Sequence, residues 1–285
     1  MKRAKSIFLW CGELVEQWRG WLPYWGFCSK KVRTSIKKHR MMRFLTIRTR
    51  PLLPPRDNIY PILDQYLPSL QEGDIVLITS KIVAIHQGRC LKIEDAPDKD
   101  ELIKKEADVY IPRQDIPNNS VVLTIKDNTL IPTAGIDESN ANGHYILWPK
   151  NSNRIAKEIC RYLQKKHKIK KLAVIINDSH TEPLRYGVIG VAIGFFGLEP
   201  LADHRGQPDI FGRKLKITRS NIVDSLSEMA VLLMGEGAEQ TPIVIARGVK
   251  FVKFTNRHTY KKLIIPPQED IYYPLLKRFY GRKKN

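Results

Sequence analysis

Apolar positions along the chain follow two periods. Asp74–Thr79 (DIVLIT) and Leu172–Ile176 (LAVII) run apolar and β-branched almost without a polar break, which predicts strands buried on both faces. Arg43–Thr49, Val121–Ile125 and Ile243–Ala246 read as further strands. Asn58–Leu67, Lys99–Val109, Arg154–Leu163, Asn221–Met234 and Asp270–Tyr280 carry helical spacing. The clearest is Asn221–Met234, with Ile222, Leu226, Met229 and Leu233 in register. Gly187–Phe195 (GVIGVAIGF) is small and apolar, so backbones must approach closely there. Asn177–Thr181 reads as a polar turn, and Pro51, Pro54 and Pro55 mark a loop. Strands and helices mix without a regular βαβ rhythm, which predicts an α+β fold with mixed sheets and packed helices.

Charge divides the 285 residues into three parts. The net charge is +19, which at first points to nucleic acid or a membrane. Residues 1–42 contribute +8 and residues 247–285 contribute +9, leaving the long middle at only +2. A dedicated nucleic-acid domain would carry its own basic face, so that partner class is disfavoured. The expected organisation is a basic, tryptophan-rich extension (1–42), a catalytic body (43–250) and a basic C-terminal segment with a terminal helix (251–285). Trp10, Trp18, Trp21 and Trp25 all lie in the extension. A helix there could lie on a membrane surface; a poorly ordered stretch, or one upstream of a start at Met41 or Met42, fits the same residues. No apolar run approaches the ~20 residues of a spanning helix. Glu13 and Glu16 interrupt the one signal-like stretch. Cys11, Cys28, Cys90 and Cys160 show neither metal nor disulfide spacing. A reducing cytoplasm is the expected compartment.

Candidate chemistry sits just past apolar segments. AGIDESN (134–140), INDSHT (176–181) and LMGEGAE (233–239) each offer a candidate carboxylate on a polar or glycine-rich stretch: Asp137, Asp178 and Glu236. Hard divalent cations take oxygen ligands, and Mg²⁺ needs only one or two carboxylates beside phosphates and water. With the Ser179 hydroxyl, these groups could hold two ions. Singly, each acid is more often a turn or cap residue, and spacing alone does not show that they converge.

GDIVLITSKIVAIHQGR, AGIDESN, INDS…LRYGVIGVAIG and LMGEGAE…PIVIARG occur in the order found in the coenzyme F420:L-glutamate ligase family, which this chain resembles from about Phe44 to Arg247. The resemblance implies an α+β fold in an intertwined homodimer. It implies GTP (or ATP), two Mg²⁺ or Mn²⁺ ions, L-glutamate and a deazaflavin acceptor joined through an amide. By position it makes Asp137 and Asp178 ligands of one metal, and Ser179 and Glu236 ligands of the second. It makes Arg50, Pro51, Leu52, Leu53, Ser80, Lys81 and Asn140 nucleotide contacts. Gly235 and Gly237 would let backbone N–H groups face a phosphate. Arg185 is the candidate for gripping the transferring phosphate or a substrate carboxylate.

The chain departs from the family where Ile85 replaces a lysine and where Thr181-Glu182 replaces Gly-Arg. His86, read as the next residue on a strand, would point elsewhere. These changes leave a folate-type acceptor open under the same chemistry. A reading of another class, a nucleic-acid or membrane-surface binder, rests on the basic ends. There FTNRHTYKK and KRFYGRKKN interleave aromatics with Lys and Arg.

Overall fold

The computed structural model describes residues 41–280. The extension expected over residues 1–42 therefore lies almost wholly outside the described residues. The chain order is β1 (Arg43–Ile47), α1 (Ile59–Tyr66), β2 (Asp74–Thr79), α2 (Ser80–His86), β3 (Cys90–Lys92), α3 (Lys99–Glu106) and β4 (Val109–Ile111). It continues through β5 (Leu123–Lys126), β6 (Thr129–Pro132), β7 (His144–Ile146), α4 (Ser152–His167), β8 (Leu172–Thr181) and β9 (Val188–Phe196). β10 (Leu201–Asp203), β11 (Arg219–Asn221), α5 (Ile222–Met234), β12 (Ile243–Arg247) and α6 (Tyr273–Tyr280) complete it. The fold is α+β, as expected.

A five-stranded mixed sheet, ordered β1-β12-β2-β8-β9, forms the centre. β2 and β8 pair in parallel at its middle, which is why their sequences are apolar on both faces. Alternation sorts their side chains: Val76, Ile78, Val174 and Ile176 join the core beside α1, α2 and α4. Ile75, Leu77, Ala173 and Ile175 join the core beneath α5. Asp74, whose side chain is 1% exposed, closes the start of β2 with a bidentate ion pair to Arg247 at 2.7 and 2.8 Å. Three-stranded β4-β5-β6 and two-stranded β3-β7 and β10-β11 complete the sheets.

Helix ends follow local chemistry. Asn58 caps α1 through the Tyr60 N–H, and Asn221 caps α5 through the Asp224 N–H. Gly235 ends α5 at φ +76, where a side chain would be strained. The glycines of β9 have a packing reason: a Cβ at Gly190 would overlap the Ser227 carbonyl of α5, and one at Gly194 would overlap the backbone of Ser152 in α4.

Two expectations fail. Residues 177–181 are not a turn: β8 runs on to Thr181, paired with β9 after an irregularity between Ile176 and Asn177. Partner-strand hydrogen bonds outweigh local polarity there, and a bulge at that point re-aims the following side chains. Ser80–His86 is a helix, not a strand. Its seven residues read equally well as either, and only packing against the sheet decides. Among the described residues, no helix is long and apolar enough to cross a membrane.

Candidate active site

A cavity of about 510 Å³ opens where the C-terminal ends of β2 and the apolar part of β8 meet three loops. Of the fourteen residues singled out in the sequence, twelve line it: Arg50, Pro51, Leu52, Ser80, Lys81, Asp137, Asn140, Asp178, Ser179, Gly235, Glu236 and Gly237. They come from five separate stretches of chain. Leu53 is not in the wall; its N–H donates to Asp57, which also pairs with Arg50 at 2.5 Å. Arg185 is not in the wall either. It sits at the exposed tip of the β8–β9 hairpin, in a separate surface pocket built from residues 182–187 and Ile189. Its guanidinium donates to the Leu184 carbonyl at 3.4 Å. Pairing of β8 with β9 ends at Thr181 and Val188, leaving Arg185 in the connecting loop, where it does not line this cavity.

Each acid is held differently. Asp178 lies at the mouth of the strand extension, deep among protein atoms though water reaches it from the cavity. It accepts from Ser80 Oγ and from the Ser179 N–H, both at 2.8 Å. Burial pushes its carboxyl up to about 6, and the charge of Asp137 adds to this against the two hydrogen bonds. Asp137 is opposed by burial too, but the Lys81 ammonium, 2.6 Å away, outweighs it and holds the carboxyl below its ordinary value. Lys81 also donates to the Ser139 carbonyl at 2.8 Å. Burial raises the Glu236 carboxyl, Lys81 counteracts, and Asp137 raises it further, with Ser179 as a hydrogen-bond partner. Asp137, Asp178 and Glu236 therefore share one electrostatic neighbourhood.

As a donor set, two Asp, one Glu and a serine hydroxyl suit a hard divalent cation. Burial, with the charge of Asp137 nearby, is what raises the Asp178 carboxyl. Among the described residues, no three His, Cys, Asp or Glu side chains close on a single point. Since Mg²⁺ takes most of its ligands from water and phosphates, the donors fit it in kind without such closure.

The remaining walls connect the loops. Asn140 Nδ2 donates to the Gly237 carbonyl at 2.9 Å, tying the Asp137 loop to the glycine loop. The Gly237 N–H faces an anion, but an internal one: Glu239 Oε2 accepts from it at 2.8 Å. A Cβ at Gly235 would overlap that same carboxyl, so both glycines give it room. Glu239 ends the LMGEGAE stretch, and its position three residues after Glu236 is the sequence signal for it. Ile85 also lines the cavity. It is buried on α2 four residues after Lys81, so the helix places Lys81 on the face where the family's lysine would have stood. Cys90 and Cys160 are free thiols that burial pushes up to about 11 and about 12, which disfavours the thiolate.

Comparison with known proteins bears on this cavity. A family model described as F420-0:Gamma-glutamyl ligase matches residues 47–248. A coenzyme F420:L-glutamate ligase of Methanopyrus kandleri is 34% identical over 222 residues, covering 71% of this chain and 86% of that protein. One from Methanosarcina mazei is 33% identical over 219 residues, covering 70% and 84%. One from Methanocaldococcus jannaschii is 32% identical over 231 residues, covering 75% and 90%.

Proposed function

Because this chain belongs to the F420-0:gamma-glutamyl ligase family, we propose that it joins L-glutamate to the carboxylate of an F420-type deazaflavin acceptor, using GTP or ATP. The observation that carries this reading is convergence: five stretches scattered from Arg50 to Gly237 meet around one cavity, with three interacting carboxylates opposite a lysine.

A free carboxylate does not form an amide, because oxide is too poor a leaving group. The acceptor carboxylate oxygen attacks the γ-phosphorus, the bond to the β-phosphate oxygen breaks, and the nucleoside diphosphate leaves. The deprotonated amine of glutamate then attacks the acyl phosphate, the C–N bond forms and inorganic phosphate departs. Asp137, Asp178, Ser179 and Glu236 would hold two Mg²⁺ or Mn²⁺ ions, which when bound offset phosphate charge and favour in-line transfer. Ser80 fixes the orientation of Asp178 through its 2.8 Å bond. Lys81, beside Asp137 in the cavity wall, would place a positive charge for the phosphates. Asn140 keeps the two loops in register from opposite sides. None of these residues needs to act as a nucleophile, so the protein contributes positioning and electrostatics.

We also propose a homodimer. Leu184 and Tyr186 at the hairpin tip are almost fully exposed, at 97% and 109%, and an apolar tip of this kind marks an interaction surface. Arg185 between them would then act, if at all, outside its own chain's cavity. Light scattering that returned a monomer would remove this part of the reading.

The test is incubation of the full chain with GTP or ATP, Mn²⁺, L-glutamate and either a deazaflavin or a folate acceptor. Mass spectrometry should find a gain of one glutamate residue on the deazaflavin, dependent on nucleotide and metal. A gain only on the folate would replace the acceptor and keep the chemistry. Absence of nucleotide turnover in every arm would overturn the ligase reading.

A further inference from the structure

Asp137 and Asp178 reach the cavity from different sheets. Asp178 extends from the central sheet through β8, whereas Asp137 follows the β5–β6 hairpin and the turn at Thr133–Gly135. Something must fix the gap between them, because donors sharing small ions tolerate little error.

The chain beyond the family match supplies a connection. Val249, Val252, Phe254, Tyr260 and Leu263 pack on the core beneath α5. Backbone bonds from Thr255 to Gly197 (3.0 Å) and from Glu199 to Lys253 (2.8 Å) sew this segment to the end of β9. From there it crosses to the three-stranded sheet. The Tyr260 ring packs against Phe195 at 5.9 Å between centroids, and its hydroxyl donates to the Asp127 carbonyl at 3.2 Å. Further on, α6 buries Phe279 with Ile111 of β4 and Ile125 of β5.

Asp127 is a junction. It and Asn128 form the β5–β6 turn, both at positive φ. The Asp127 N–H donates to Asp108 at 2.6 Å, and its carboxylate accepts from Trp148 Nε1 at 3.0 Å. The buried Trp148 ring lies against Gly135, where any Cβ would overlap it. Gly135 is two residues before Asp137. Ile146, two residues before Trp148, exchanges both backbone hydrogen bonds with Asp137, at 3.0 and 2.7 Å. Movement of the Asp127 turn would therefore pass through Trp148 to both sides of Asp137.

We propose that residues 249–280 are a clamp that positions Asp137 across the cavity, with Tyr260 and Phe279 as its anchors and the Asp127–Trp148 contact as its link. The role given to Asp137 rests on the ligase reading; the mechanical link does not. Neither Tyr260 nor Phe279 lines the cavity, so they are positioning residues.

The test uses full-length Tyr260→Phe and Phe279→Ala, first without metal. Hydrogen–deuterium exchange is compared between peptides covering residues 127–140 and peptides covering residues 172–176. Exchange over 127–140 should rise several-fold in Tyr260→Phe and at least tenfold in Phe279→Ala, with 172–176 unchanged. In ligation assays the apparent Mn²⁺ constant should rise several-fold, while kcat at saturating Mn²⁺ stays within twofold. Unchanged exchange over 127–140, or an equal rise in both regions, would overturn the clamp, as would a fall in kcat with the metal constant unmoved. If Phe279→Ala does not fold, Tyr260→Phe decides by the same readings. A wild-type protein that ligates nothing would sink the ligase reading alone, and the exchange measurement would still decide the clamp.

Discussion

Asp178→Asn should make the metal-free protein more stable at alkaline pH while abolishing turnover. The Asp178 carboxyl moves from an ordinary 3.8 to about 6 on folding, chiefly through burial. A difference of roughly 2 units is worth about 3 kcal/mol at ~1.4 kcal/mol per unit. The sign follows from linkage. Between those two values the native state holds a proton that the unfolded chain has released, so stability falls as pH rises through this window. The full penalty is present above about 6 and absent below 3.8. Asparagine keeps the shape and removes the charge. It accepts one of the two bonds from Ser80 Oγ and the Ser179 N–H, and losing the other costs about 1 kcal/mol. Water entering from the cavity lowers the penalty further. The expected net gain is about 1–2 kcal/mol at pH 8, and none, or a small loss, at pH 4. Urea unfolding of both proteins in EDTA at the two pH values measures it, beside nucleotide turnover with Mn²⁺. An Asn variant that is destabilised at pH 8, or that keeps turnover, would show Asp178 to be a structural acid and would refute the reasoning.

Three further outcomes are expected. Arg247→Met leaves the Asp74 carboxylate buried without its partner and should cost about 3–5 kcal/mol in urea unfolding. Adding Asp74→Asn should recover part of that, and no recovery would mean that the arginine acts through packing. Ile85→Lys should destabilise by roughly 2–4 kcal/mol, because it buries an ammonium where Ile85 is 2% exposed; tighter nucleotide binding with unchanged stability would contradict the packing of α2. Glu239→Ala frees the Gly237 N–H and should tighten nucleoside triphosphate binding several-fold in calorimetry, whereas weaker binding would show that Glu239 helps to hold the ligand.

The central strands were legible in the sequence because DIVLIT and LAVII are apolar on both faces, a pattern that burial in a mixed sheet requires. So were α5, with its Asn cap and glycine stop, and the close approach at Gly190 and Gly194. The chemistry of the side chains was legible too, since Asp137, Asp178, Ser179 and Glu236 carry oxygen donors wherever they lie. Their meeting was not legible. Asp137 and Asp178 are brought together by parallel pairing of β2 with β8 and by a separate hairpin, and both are contacts between distant parts of the chain. The same limit explains the errors at residues 177–181 and 80–86. Local polarity or a short ambiguous run speaks only for itself, whereas a partner strand or a sheet to pack on supplies hydrogen bonds and buried area that outweigh it. Arg185 is the mirror case. Its place in an ordered motif told of a neighbourhood, but the length of a paired hairpin carried it to an exposed tip. Pattern along a chain determines which residues can be buried and which can bind a cation; only the folded backbone decides which of them share a cavity.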